Sequence, residues 1–141
     1  LISGDMVLPR ISTNVSVVDL EPEADPLSLY LQSIDALRAL PEGTLVLPSH
    51  GRPFRGLHRR IAQLHAHHDE RLDAVLRACG ERAHSAAELL PLLFRRPLDL
   101  HQTTFAMGES IAHLHLLRAR GLLAVEDGDD GIRRFRAAPG G

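Results

Sequence analysis

The sequence predicts an α/β layer followed by a small module of helices and a β-hairpin. Three observations predict it. Short apolar runs of strand type, LI at 1–2 and TLVLP at 44–48, lie on either side of an amphipathic helix. A long helical pattern then runs over 57–79 in steps of three and four. Beyond residue 80 the rhythm changes to two helices and a strand–turn–strand pattern.

In chain order, LI reads as the end of a buried strand and SGD (3–5) turns out of it, whereas NVSVVDL (14–20) has no regular period. In DPLSLYLQSIDALRAL (25–40) Asp25 can cap a helix, and Pro26 takes a first-turn position where its missing N–H costs nothing. Leu27, Tyr30, Leu31, Ile34, Leu37 and Leu40 recur at the helical period and predict its buried face. PEG (41–43) ends the helix, and TLVLP is a short strand. After GRPFRG (51–56), the residues Leu57, Ile61, Leu64, Leu72, Val75 and Cys79 form an apolar seam with His68 in its remaining step. GERAHS (80–85) breaks that pattern and is read as a domain boundary. Ser85 and Glu88 fit a capping box for a helix that Pro91 shortens or kinks. A second helix, 103–120, carries Phe105, Ile111, Leu114 and Leu117 on one face and stops at Gly121. LLAVEDGDDGIRRFRA (122–137) reads as a hairpin, because Asp and Gly tolerate the backbone its turn needs. Helices closed by a hairpin are the outline of a winged helix-turn-helix.

The 141 residues suffice for one ordinary domain or two small ones. A net charge of −2 gives no global field toward nucleic acid or anionic lipid. All 16 basic residues are Arg. The single Cys79 excludes a disulfide framework within the chain and fits a reducing cytoplasm. No apolar run approaches the roughly 18 residues of a membrane span, and no secretory signal is visible. The chain opens on LISGD, without Met and with an apolar run already in progress, so we expect the C-terminal part of a longer protein.

SGD (3–5) and SHG (49–51) each put a metal-ligand type just past the end of a short apolar strand, where the strand fixes the backbone and the loop frees the side chain. A carboxylate with an imidazole suits zinc, manganese or iron, and an adjacent Gly lets the backbone turn sharply. The plain alternative is a Gly-Asp turn and a His-Gly loop without a ligand.

LISGDMVLPRISTNVSV, then LVLPSHGRPF (45–54) and RIAQLHAHHDERLDAVL, resemble the C-terminal half of a metallo-β-lactamase-fold hydrolase. The subgroup resembled ends in a winged helix, to which ESIAHLHLLRARGLLAVEDGDDG is similar. The resemblance implies the C-terminal portion of an αββα sandwich at 1–56, a connecting helix at 57–79, a winged-helix domain at 80–137 and a tail at 138–141. It implies Asp5 as the aspartate that bridges two metal ions and His50 as the last histidine, on the second metal. The complete protein would hold two zinc ions, with manganese or iron as alternatives. Their shared hydroxide would attack an ester, thioester, amide or phosphodiester of a small-molecule or nucleotide-like substrate. No side chain of this chain is itself the nucleophile.

The family's His-x-His-x-Asp-His lies in its N-terminal half and is absent here. HAHHD (65–69) lacks that spacing and sits mid-helix, where successive side chains diverge by about 100°. Two ligands fall short of the roughly three that catalytic zinc keeps, so the segment alone is expected to be inactive and to need the N-terminal half as partner. His68 reads as a core histidine, and His65 with Asp69 as an i,i+4 surface pair. His113 and His115 read as packing or solvated residues. Arg52 and Arg55, straddling Phe54, read equally as a solvated loop or as an anion hook for substrate. Residues 80–141 balance eight Arg against eight acidic residues, and the acidic EDGDD tip would repel phosphates. Nucleic acid is therefore not the favoured partner; a lid, a substrate-selecting wall or a homodimer contact is the competing expectation.

Overall fold

The structure, a computed structural model, describes residues 1–139. The expected tail at 138–141 lies partly outside them. The chain divides into two compact units, Leu1–Asn14 with Ser28–Asp69, and Val15–Leu27 with Glu70 onward. The division runs through the long helix, upstream of the boundary that GERAHS suggests. Among the described residues no helix is long and apolar enough to cross a membrane.

In the first unit, β1 (Ile2–Gly4) and β2 (Leu47–Pro48) run parallel, with Ile2 opposite Leu47 and Gly4 opposite Pro48. Leu47 N–H donates to the Leu1 carbonyl at 2.8 Å, and Ser49 N–H to that of Gly4 at 3.0 Å. Val46 and Phe54 close an antiparallel bridge beside them. Contrary to expectation, LI is not a buried strand end: Ile2 is 83% exposed and Ser3 is the buried residue. Strand alternation can send only one of two neighbours inward. Ser3 is satisfied there by donating its hydroxyl hydrogen to the Val7 carbonyl at 3.0 Å.

Helix α1 (Pro26–Ala36) buries Leu27, Tyr30, Leu31 and Ile34, as its period predicts. Leu37 and Leu40 are only half-buried. The chain tightens into a 3-10 turn at Leu37–Ala39, and the change from 3.6 to about three residues per turn rotates the stripe away from the core.

Helix α2 (Leu57–Glu81) buries the whole predicted seam, His68 included. The His68 ring meets Tyr30 edge-on at 5.9 Å between centroids. Burial raises the Cys79 thiol to about 11. His65 is not the partner of Asp69: its Nε2 lies 2.9 Å from Asp35 Oδ1. The folded-back α1 offers that carboxylate, which Arg38 first and then His65 hold below its ordinary range.

In the second unit, Ser85 and Glu88 form the predicted reciprocal cap, at 2.8 and 3.3 Å. Those bonds close a turn rather than a helix: α3 (Leu90–Leu93) starts later, has only four residues, takes Leu89 as an N-cap without a side-chain bond and carries Pro91 in its first turn. Helix α4 (Leu100–Ala119) begins three residues before the predicted Thr103, because Asp99 and Gln102 make a capping box of their own. Gly121, at φ 75°, ends it as predicted. From Ala106 to Leu117 burial extends around most of the helix. Phe105, read on one face with Ile111, Leu114 and Leu117, stays 49% exposed one residue before that stretch begins, edge-on to His101.

The segment at 15–18 lies along α4, with Val17 N–H donating to the Gly108 carbonyl at 3.1 Å. A Cβ on Gly108 would stand 2.6 Å from Ser16 Cβ, so only glycine admits this approach. The hairpin forms as predicted from β3 (Leu123–Asp127) and β4 (Arg133–Ala137). His84 extends it by bridging to the buried Phe135. His113 and His115 are packing residues, with Nδ1 atoms 2.8 Å from the carbonyls of Glu109 and Ala24.

Candidate functional site

Parallel pairing sends the chain out of β1 and β2 at the same edge. Asp5 follows Gly4 there and His50 precedes Gly51, and both glycines adopt positive φ, 53° and 88°. Asp5 Oδ1 and His50 Nε2 come to 3.6 Å of each other, although 44 residues separate Asp5 from the neighbouring Ser49. Both side chains are largely exposed, 60% for Asp5 and 71% for His50. The Ser49 hydroxyl donates to the same Asp5 oxygen.

Two ligands that each sit about 2.0–2.2 Å from a common zinc are separated by about 3.4 Å at a tetrahedral angle. A carboxylate oxygen and an imidazole nitrogen at 3.6 Å are therefore within reach of one cation. Among the described residues no group of three His, Cys, Asp or Glu side chains converges to hold a metal ion. The histidines of HAHHD do not gather: His65 turns to Asp35 and His68 is buried.

The loop after Asp5 is held from behind. Tyr30 donates its hydroxyl hydrogen to the Met6 carbonyl at 3.0 Å, and burial raises that phenol to about 12, so it stays a donor. Arg60 donates to the carbonyls of Leu8 at 2.6 Å and Ile11 at 2.8 Å. Gly51 lets the two loops touch: a Cβ there would lie 2.7 Å from Pro9 Cγ. Between the loops opens a cleft of about 690 Å³, with Arg10 and Ile11 on one wall and His50, Arg52 and Phe54 on the other.

Arg52 thus faces the cleft beside His50. Arg55 does not line it and donates instead to the Gly43 carbonyl. Arg10, Ser49, Tyr30 and Arg60 are the contributors that motif reading missed. Ser49 had a signal in its place next to His50; Arg10 had none.

Residues 72–138 match the family model described as "Metallo-beta-lactamase-like, C-terminal domain". A beta-lactamase domain protein from Burkholderia ambifaria is 62% identical over 97% of this chain, with a TM-score of 0.95. A metallo-beta-lactamase family protein from Thermus thermophilus is 33% identical over 96% of the chain, with a TM-score of 0.78. The chain spans 41% of the length of each of those solved chains. No curated protein matches it. Residues 72–138 thus carry a C-terminal domain of the metallo-beta-lactamase-like kind, and the mixed α/β chain has the fold of the corresponding part of such proteins.

Proposed function

We propose that the chain is part of a metal-dependent hydrolase in which Asp5 and His50 are two ligands of a two-zinc centre, with manganese or iron as alternatives. The observation that carries this reading is the 3.6 Å approach of a carboxylate oxygen and an imidazole nitrogen at the shared edge of two parallel strands. Two donors do not complete a catalytic site, so the remaining ligands belong to the part of the fold that the relatives have and this chain does not span. The isolated segment is then inactive. When bound, the metal supplies an acidified water and a Lewis acid toward a small-molecule or nucleotide-like ester, thioester, amide or phosphodiester. Ser49 orients the Asp5 carboxylate through its hydroxyl. Arg52 offers substrate a cation beside His50, and Arg55 supports that loop from the Gly43 side. The single, buried thiol of Cys79 suits a cytoplasmic setting.

The test is Asp5→Ala and His50→Ala in the longer protein. Each should lower hydrolysis by about two orders of magnitude or more and reduce bound zinc, with the thermal midpoint little changed. Full activity and full zinc content in both variants would sink the proposal.

The second reading takes 80–137 as a winged helix that binds nucleic acid or a second copy, in a binding protein or in an RNA-cleaving hydrolase of this fold. The order helix, helix, hairpin supports the winged helix. Four of its eight arginines argue against phosphate binding, because carboxylates already hold them: Arg118 and Arg133 meet Glu23, Arg134 meets Asp130, and Arg136 meets Glu126. A mobility shift with a steep salt slope, lost in Arg133→Gln, would reverse that preference.

A further inference from the structure

We infer that the cleft beside His50 is an oxyanion subsite in which Arg10 and Arg52 together clasp a carboxylate or phosphate of the substrate, away from the bond that is cut. The inference rests on the proposed hydrolase and names the class of molecule it acts on: a substrate with a second, negatively charged end. Three observations carry it.

The first is placement. Arg10 and Arg52 come from different loops and line one cleft of about 690 Å³, with His50 on the same wall as Arg52. A molecule whose reacting group sits at Asp5 and His50 therefore extends naturally between the two guanidinium groups.

The second is the absence of competing partners. Other arginines are engaged: Arg38, Arg82, Arg118, Arg133, Arg134 and Arg136 lie against carboxylates, and Arg60 against backbone carbonyls. Among the described residues Arg10 and Arg52 have neither a hydrogen-bond nor an ion-pair partner. Among the described residues no carboxylate lines the cleft, and the Asp5 carboxylate lies against His50 and Ser49. Two like charges facing one hollow repel each other until an anion enters, and a guanidinium matches the planar or tetrahedral spread of its oxygens.

The third is rigidity. The Arg10 loop is tied down on either side of that residue, through Arg60 to Leu8 and Ile11, and the Arg52 loop is seated against Pro9 through Gly51. Little backbone ordering remains to oppose binding. Arg55, the other basic residue of GRPFRG, is excluded by its bond to Gly43.

The experiment titrates the purified 141-residue chain, at constant ionic strength, with inorganic phosphate and in parallel with acetate. Backbone amide shifts at Gly51 and Phe54 and the arginine Nε–H signals are followed by NMR. Saturable binding is expected for at least one anion, with affinity at least tenfold weaker in Arg10→Gln and in Arg52→Gln. It should be unchanged in Arg120→Gln, an exposed site elsewhere. Tighter phosphate binding assigns a phosphoryl substrate, and tighter acetate binding a carboxylate. Both Arg variants binding like the parent, or no saturable binding of either anion, overturns the inference. Because the readout is metal-free, that failure is separate from the loss or retention of zinc and hydrolysis in the Asp5 and His50 variants.

Discussion

Gly51→Ala tests the placement of His50 more directly than a change at the histidine itself, because it strains the backbone that carries the ring. Gly51 sits at φ 88°, where an L side chain costs about 1–2 kcal/mol. The new Cβ would also stand 2.7 Å from Pro9 Cγ and 3.3 Å from Pro9 Cδ, well inside ordinary carbon contact, and a proline ring cannot swing aside. Overpacking of that kind costs about 1–3 kcal/mol. The sum is about 2–5 kcal/mol, and with a urea slope of about 2 kcal/mol/M the midpoint falls by about 1–2.5 M. Gly4→Ala provides the internal standard. Its φ of 53° is strained in the same sense, but nothing lies within 4 Å of the added carbon, so only the backbone part of the cost applies. Urea unfolding followed by far-ultraviolet circular dichroism gives both midpoints. Equal midpoints for the two variants would refute the close approach of the Pro9 loop to the His50 loop, and with it the cleft between them.

Cys79 should stay unreactive toward a thiol reagent at pH 8 in the folded chain and react fully in urea, because a buried thiol raised to about 11 leaves only about one molecule in a thousand ionised; rapid modification of the folded protein would contradict its burial. Arg133 first, then Arg118, lower the Glu23 carboxyl from 4.5 to about 2. A lowered carboxylate contributes its stability in full above the unfolded value and loses it as pH falls through the folded one. Glu23→Gln should therefore flatten the decline of the urea midpoint between pH 4.5 and pH 2, and an unchanged profile would show that the two arginines do not hold it.

What could be read in the sequence was whatever repeats or punctuates. The seam from Leu57 to Cys79 keeps one period along the whole helix, so even His68 could be placed inside it. Asp5 and His50 stood out because each adjoins a glycine at the end of an apolar run. The start of α4 was readable and overlooked: Asp99 and Gln102 have capping-box spacing, and a search for Ser or Thr passes over them. Arg10 is different in kind. It reaches the cleft only because Tyr30 and Arg60 bond to main-chain carbonyls of its loop, and a carbonyl carries no residue-specific signal. The allegiance of NVSVVDL and the residues after it was equally hidden, since partners 91 and 95 positions away settle it.

That stretch has a practical corollary. Val15–Leu27 supplies the carboxylate for Arg118 and Arg133, the carbonyl for His115 and the strand-like contact at Gly108. A fragment cloned from the second half of α2 onward would lack all of these, and so would a cassette moved by recombination at that point. The C-terminal module is thus a discontinuous heritable unit, and grafting it onto another protein requires carrying along a ribbon encoded well upstream.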